Sequence, residues 1–334
     1  MQKFLTAILA LVLMNIASAS HANDSEAETS LGGLVLKQSK HISMDSEDLY
    51  ISAKQVRVKY RFTNTSNKDV TTLISFPLPT LPESDDGDWL YQGSPDFDTL
   101  KFETKINGKS APLIRMTRAM IGTRDVTKRV EAAGWPVNWL NNYEFSGQFD
   151  KMTVKARQRF IDEGLIRRIE NYDHQWIPAW KIARHITRSQ VFPAGKTITV
   201  EHSYQPLIGG SVGGTLLKPV RKGFPEGIAH YRKQYCVDDY FLRGFDRRAA
   251  AKGDQGAMYG ETWIGYILSS GANWKGPIKD FRLVIDKGST KNLVSFCMDG
   301  VKKIAPTQFE VRKKNFTPTK DLNILIVQWH NIDA

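Results

Sequence analysis

The chain has 334 residues, 41 % of them apolar and 24 % charged, with 46 Lys/Arg against 35 Asp/Glu and a formal net charge of +11. That balance is ordinary for a globular protein and excludes a disordered chain. No stretch beyond the N-terminal segment is apolar for long enough to span a bilayer.

In chain order, Lys3 precedes an apolar run over residues 4–16, and small residues lead to Ala22, just before the acidic stretch 24–28. This predicts a secretory signal peptide over residues 1–22, cleaved after Ala22 (Ala19 is a second site) so that Asn23 begins the mature chain. The expected location is outside a bacterial cytoplasm, in the periplasm or beyond the cell. In that oxidising setting Cys236 and Cys297, the only cysteines, are expected to form one disulfide, closing a loop of about sixty residues worth roughly 4 kcal/mol. About 310 mature residues exceed one ordinary core, so two lobes are expected, 23–214 and 215–334. The positive charge lies away from the N-terminal part. Residues 23–114 carry 10 Lys/Arg against 14 Asp/Glu, residues 115–190 carry 14 against 8, and residues 191–334 carry 21 against 13. Outside the cytoplasm such a surface can meet envelope polysaccharide, a membrane surface or another exported protein, whereas nucleic acid is excluded by compartment.

Residues 55–62 alternate Val56, Val58, Tyr60 and Phe62 with Gln55, Arg57, Lys59 and Arg61, a period of two that predicts a strand with one buried face. The turn formers of 64–69 lead to a return strand over 70–76, which Pro77 and Pro79 should end, giving a hairpin. A polar acidic loop, 83–88, and a strand over 97–106 follow, closed by Asn107-Gly108. Residues 115–185 differ in character and are expected to form a helical insertion. Asp150 could cap a helix over 152–169 whose middle Gly164 weakens. A strand over 197–204 resumes the sheet, with Ile198, Val200, His202 and Tyr204 on one face. The glycines of 209–214 suit a flexible joint. Beyond it, Pro225 can open a helix towards Tyr235, Asp238 or Asp239 can cap another ending near Gly253, and strands are expected at 263–268, 281–285, 293–297, 308–311 and 322–329. The fold class is therefore α+β, mainly antiparallel β: a β-sandwich lobe with a helical insertion, plus a second β-rich lobe carrying the disulfide.

Several segments resemble an exported bacterial family classed as a domain of unknown function, DUF4424. They are Leu31-Gly32-Gly33-Leu34, the run from Ile42 to Ser52, Asp69-Val70-Thr71-Thr72 with Phe76-Pro77-Leu78-Pro79, Phe192-Pro193-Ala194-Gly195, His202-Ser203-Tyr204-Gln205-Pro206, Ala272-Asn273-Trp274-Lys275-Gly276-Pro277-Ile278 and Ser295-Phe296-Cys297. The resemblance implies export and a β-rich fold, and no particular activity. More loosely, residues 56–79 and the strand after Gly195 look like the VIT-type β-sandwich module found beside von Willebrand-type domains.

Five constellations bear on chemistry. Gly209-Gly210-Ser211-Val212-Gly213 fits the spacing of a nucleophile elbow, which needs a strained strand-to-helix turn with an acid and a histidine later in the chain. Asp238 and His330 supply the order, but no helix is expected directly after Gly213. Asn107-Gly108-Lys109-Ser110 ends like a phosphate loop, yet Glu103 stands where its first glycine belongs. Glu83, Asp85, Asp86 and Asp88, with Asp96 and Asp98 nearby, offer oxygen ligands without the spacing of a calcium loop. His174, His185 and His202 lack the helical spacing of a zinc pair. The best candidate surface is aromatic. Trp135 and Trp139 lie four apart, as do Trp176 and Trp180, with Arg167, Arg168 and Arg184 in the same insertion, a set suited to stacking on sugar rings or anionic polymers. Tryptophans mostly bury their area, so the same spacing also fits a core that fastens the insertion. The expected role is non-catalytic binding, with no cofactor and no metal. The alternative is an envelope hydrolase using Ser211 or an acidic pair.

Overall fold

The computed structural model describes residues 25–30, 33–81, 100–140, 142–169, 176–251 and 259–329. The predicted signal peptide, the acidic loop with Asp96 and Asp98, His174 and His330 lie outside them.

Strands β1 (Ser25–Ser30) and β2 (Gly33–Lys37) form an antiparallel hairpin. In β3 (Ile42–Ser52) the register shifts between Met44 and Ser46. The extra residue changes the phase of the pleat: Ile42 and Met44 point inward before it, and Leu49 and Ile51 after it. Asp48 and Tyr50 are thereby turned outward. β4 (Val56–Asn64) buries Val56, Val58, Tyr60 and Phe62, as its alternation predicts.

β5 (Val70–Leu81) corrects two expectations. It makes no hairpin with β4, because β4 pairs with β3 while β5 lies in the facing sheet. It also runs through Pro77 and Pro79. β1 borders β5 only from Leu73 to Ser75, so beyond that point one edge of β5 is open among the described residues. An imino nitrogen directed there removes no ladder bond.

β6 (Phe102–Ile106) turns at Asn107 and Gly108, whose φ values of 49° and 80° are both positive, into β7 (Lys109–Ser110), the turn that Asn-Gly favours. β8 (Ile114–Ile121) and β9 (Arg124–Asp125) lead to the insertion. Its helices are α1 (Thr127–Ala132), α2 (Tyr143–Lys151) and α3 (Val154–Asp162), followed by the small hairpin β10 (Ile166–Arg168) and β11 (Trp176–Pro178). The single helix expected over 152–169 is thus replaced. Asn142 caps α2, Thr153 caps α3, Asp150 sits inside α2, and Gly164 at φ 69° ends the helical stretch. β12 (Lys181–Phe192) and β13 (Thr197–Tyr204) complete this half, and the second matches its predicted bounds.

Next come β14 (Ile208–Val212), α4 (Lys218–Gly223), α5 (Pro225–Tyr235) and α6 (Asp239–Ala250), the last capped by Asp238. β15 (Tyr259–Tyr266), β16 (Ile278–Asp286), β17 (Leu293–Phe296), β18 (Lys302–Lys303), β19 (Gln308–Phe316) and β20 (Leu322–Trp329) finish the fold. None of the described helices is long and apolar enough to cross a membrane.

Three sheets enclose the main core. An eight-stranded sheet, β18-β19-β16-β3-β4-β13-β6-β7, faces a six-stranded sheet, β2-β1-β5-β12-β8-β9, and a four-stranded one, β14-β15-β20-β17. Phe62, Phe76, Phe281, Tyr266 and Trp274 meet in this core from all three sides. The sheets do not follow the expected division at 214/215. β16 pairs in parallel with β3, and β14 pairs with β15, so early and late segments share hydrogen-bond ladders and one apolar interior. Helices α5 and α6 cover the other face of the four-stranded sheet through Tyr231, Tyr235, Phe241 and Phe245. Cys236 and Cys297 form the expected disulfide, with a Cα–Cα distance of 5.0 Å, tying the end of α5 to the end of β17.

The glycines at 209–214 are not a flexible joint. Gly209 and Gly210 are strand residues, and a Cβ on Gly210 would lie 2.5 Å from the Glu261 carbonyl oxygen. A Cβ on Gly214 would strike the Glu261 carboxylate. These positions lack side chains because another strand passes close by.

Candidate functional site: a charged groove on the eight-stranded sheet

The alternation that buries one face of the eight-stranded sheet sends its other residues to solvent. There the strands form a groove of about 490 Å³, lined by Asp48, Tyr50, Arg57, Lys59, Glu201 and Arg282 among others. Cross-strand register sets them in rows. One row runs Arg312, Arg282, Asp48, Lys59, Glu201, Lys105 over β19, β16, β3, β4, β13 and β6. The next runs Glu310, Val284, Tyr50, Arg57, Ser203, Glu103 over the same strands.

The rows are held by ion pairs. Lys59 Nζ lies 2.8 Å from Glu201, Arg282 lies 3.0 Å from Asp48 and 2.7 Å from Glu310, and Arg312 lies 3.1 Å from Glu310. The guanidinium groups of Arg312 and Arg282 hold the Glu310 carboxyl below its ordinary range. The Arg57 guanidinium sits 4.5 Å over the centre of the Tyr50 ring, a cation–π contact that fixes the ring's face. Tyr50 donates its hydroxyl to Asp286 Oδ2 at 3.2 Å. Burial, and next the Asp286 charge, push its pKa up, so the phenol stays neutral. At the rim Gln55 Nε2 donates to Ser203 Oγ at 3.0 Å. The floor therefore presents cations, carboxylates, a hydroxyl and one braced aromatic ring at strand spacing, roughly 4.8 Å.

The predicted aromatic surface is not a surface. Trp135, Trp139 and Trp180 are 9 %, 3 % and 1 % exposed and pack with Phe145 and Phe149 as the core of the insertion. Trp139 donates its indole N–H to the Trp180 carbonyl at 3.1 Å, and Trp180 donates to the Val137 carbonyl at 2.9 Å. Both rings are thereby satisfied internally, as buried indoles require. Of the set, only Trp176 and Arg168 reach water together, as a cross-strand pair in the β10–β11 hairpin, and Arg157 lies 5.1 Å over the Trp176 ring. Arg167 is half-buried beside them, and Arg184 is buried with Nη2 donating to the Pro79 carbonyl at 3.0 Å.

The nucleophile motif is also accounted for otherwise. Ser211 lies in β14 opposite Glu261, on no strand-to-helix elbow, and its hydroxyl donates to the Gly213 carbonyl at 3.1 Å. Asp238, the acid of that expectation, accepts from Phe241 N–H at 2.7 Å as a helix cap. Two hydroxyl–imidazole contacts do occur, Ser75–His185 at 3.1 Å and Thr104–His202 at 2.8 Å. Burial, and next the Arg118 charge, push the His185 pKa down to about 4. Ser75 is fully buried and Thr104 nearly so, which leaves neither hydroxyl a path to a substrate. Among the described residues no group of three His, Cys, Asp or Glu is arranged to hold a metal.

The groove was hidden from sequence reasoning for a definite reason. Arg57 and Lys59 were visible as the wet side of an alternating strand, but Lys105, Glu201 and Arg282, which line the groove with them, come from distant segments. The outward phase of Asp48 and Tyr50 depends on a one-residue bulge.

Sheet order and packing together define an α+β protein dominated by antiparallel sheet. The chain belongs to the family described as a domain of unknown function, DUF4424, whose profile matches residues 22–325. It is similar at 14 % identity and a TM-score of 0.45 to a candidate nutrient-binding protein from Legionella pneumophila, over 92 % of this chain and 70 % of that one. It is more remotely similar to an M1 zinc metallopeptidase from Deinococcus radiodurans, at 7 % identity and a TM-score of 0.24, over 87 % of this chain and 43 % of the peptidase. No curated protein matches the chain.

Proposed function

We propose that this is an exported, non-catalytic binding protein that takes an envelope polysaccharide into the groove of the eight-stranded sheet. Export rests on the charged start, apolar run and small-residue exit of residues 1–22. Binding rests on one observation, the row Arg282–Asp48–Lys59–Glu201–Lys105 laid across five strands beside an arginine-braced tyrosine. A hydroxyl-rich polymer extended across the strands meets a donor or an acceptor at every one, and each bond made there contributes about 0.5–1.5 kcal/mol. The Tyr50 ring supplies a stacking face for one sugar. Isothermal titration of the chain beginning at Asn23 with fractionated envelope polysaccharide tests the proposal. Saturable binding is expected, weakened at least tenfold, by about 1.4 kcal/mol, in the Tyr50→Ala, Lys59→Gln double variant with its melting temperature kept. Absence of saturable binding, or a double variant that binds like the parent, overturns it.

A further inference from the structure

A second surface lies on the opposite side of the four-stranded sheet from the main core. Residues 218–250, spanning α4 to α6, carry eight Lys/Arg against four Asp/Glu. At their start apolar side chains stand in water: Val220 on α4 is 41 % exposed and Phe224, between α4 and α5, 53 %. Val220 lies on α4 and Phe224 at its C-terminal cap, and Lys218 and Lys222 are exposed on the same short helix. One edge of the Phe224 ring rests on Gly227, where a side chain would collide with it. The segment is held in place. Arg221 donates to both carboxylate oxygens of Asp246 on α6, at 2.8 and 2.7 Å, and to the Leu216 carbonyl at 2.9 Å. On α6, Tyr240, Arg243 and Arg247 line an exposed stripe, with Tyr240 74 % exposed.

Exposed apolar side chains and lysines together on one short segment of a basic helical layer have the chemistry of an interfacial contact, in which rings enter the headgroup boundary and cations meet anionic lipid. The geometry points to docking of this helical layer on an anionic membrane surface, with Val220 and Phe224 inserting and Lys218 and Lys222 contacting phosphate. This leaves the groove, on a different sheet, open to its own ligand. Charge complementarity selects the occupant: a neutral partner would leave the surplus of positive charge unanswered, and a soluble polyanion would make no use of the exposed Phe224.

Vesicle flotation tests it, with liposomes of phosphatidylethanolamine and phosphatidylglycerol against phosphatidylcholine alone. The chain beginning at Asn23 is expected to float with the anionic vesicles, to be released by raised salt, and to ignore the neutral ones. Lys218→Gln with Lys222→Gln should weaken partitioning on the order of twentyfold, while Lys302→Gln with Lys303→Gln, the same charge loss on a sheet edge, should not. Phe224→Ser should weaken it about fivefold. Val220→Ser, which leaves the Gly227 contact untouched, should act in the same direction, and circular dichroism checks that both variants fold. No binding to anionic vesicles, equal binding to neutral ones, or unchanged partitioning of the Val220 and Phe224 variants overturns the proposal. So does binding to dextran sulfate that is lost with the lysines while vesicle binding is absent.

Discussion

The insertion and the groove use similar side chains to opposite ends. In the insertion most of the large rings turn inward: Trp135 stacks on Trp180 at 6.1 Å between ring centres, and the indole N–H groups of Trp139 and Trp180 are met by carbonyls. In the groove a single tyrosine and its arginine stay at the surface among paired charges. Composition alone favours the insertion as a binding face, because it is basic and rich in tryptophan. Geometry reverses this. Three short helices and a two-stranded hairpin have little apolar surface from which to build an interior, and large rings supply most of it. The eight-stranded sheet already has its interior on the opposite face, so its outward residues are free to serve a ligand.

The strongest way to break this contrast is Trp180→Ala. Truncating a ring that is 1 % exposed should lower stability by about 3–5 kcal/mol, read from denaturant unfolding. A variant of parental stability would return Trp180 to the candidate binding residues.

A smaller effect sharpens the groove side. Glu310 has its pKa lowered by Arg312 and Arg282, so the folded state holds its proton less tightly than the unfolded chain does. The stability this contributes is present above its ordinary pKa of 4.5 and is lost as pH falls through the depressed folded value. Because the pairs lie near water, the contribution is expected to stay below about 1 kcal/mol. Glu310→Gln should flatten that part of the stability–pH curve, and an unchanged curve would show the ion pairs to be energetically idle.

Legibility followed how local each determinant was. The alternation of 55–62 and of 197–204 fixed which side chains are buried, since period two needs no partner to be read. Asn107-Gly108 specified its turn because both residues tolerate positive φ. Leu322–Trp329 was bounded correctly by its neighbouring turn formers. Failures came where a distant segment decided. Pro77 and Pro79 stand inside β5 rather than ending it, with β12 from later in the chain paired along the strand. Gly210 and Gly214 answer to the Glu261 strand rather than to flexibility. Thr153 rather than Asp150 caps α3, because a second helix, started by Asn142, had already enclosed Asp150. For the candidate site, the wet face was legible in Arg57 and Lys59 and its concavity was not, since that needs β16 from late in the chain placed beside β3.

The most direct test is an amide and indole NMR titration of the chain beginning at Asn23 with envelope polysaccharide. The account predicts shifts confined to the outward residues of β3, β4, β13, β6 and β16 around Tyr50, Lys59 and Glu201, with the indole signals of Trp135, Trp139 and Trp180 unmoved. Shifts in those indoles with a silent groove would contradict it.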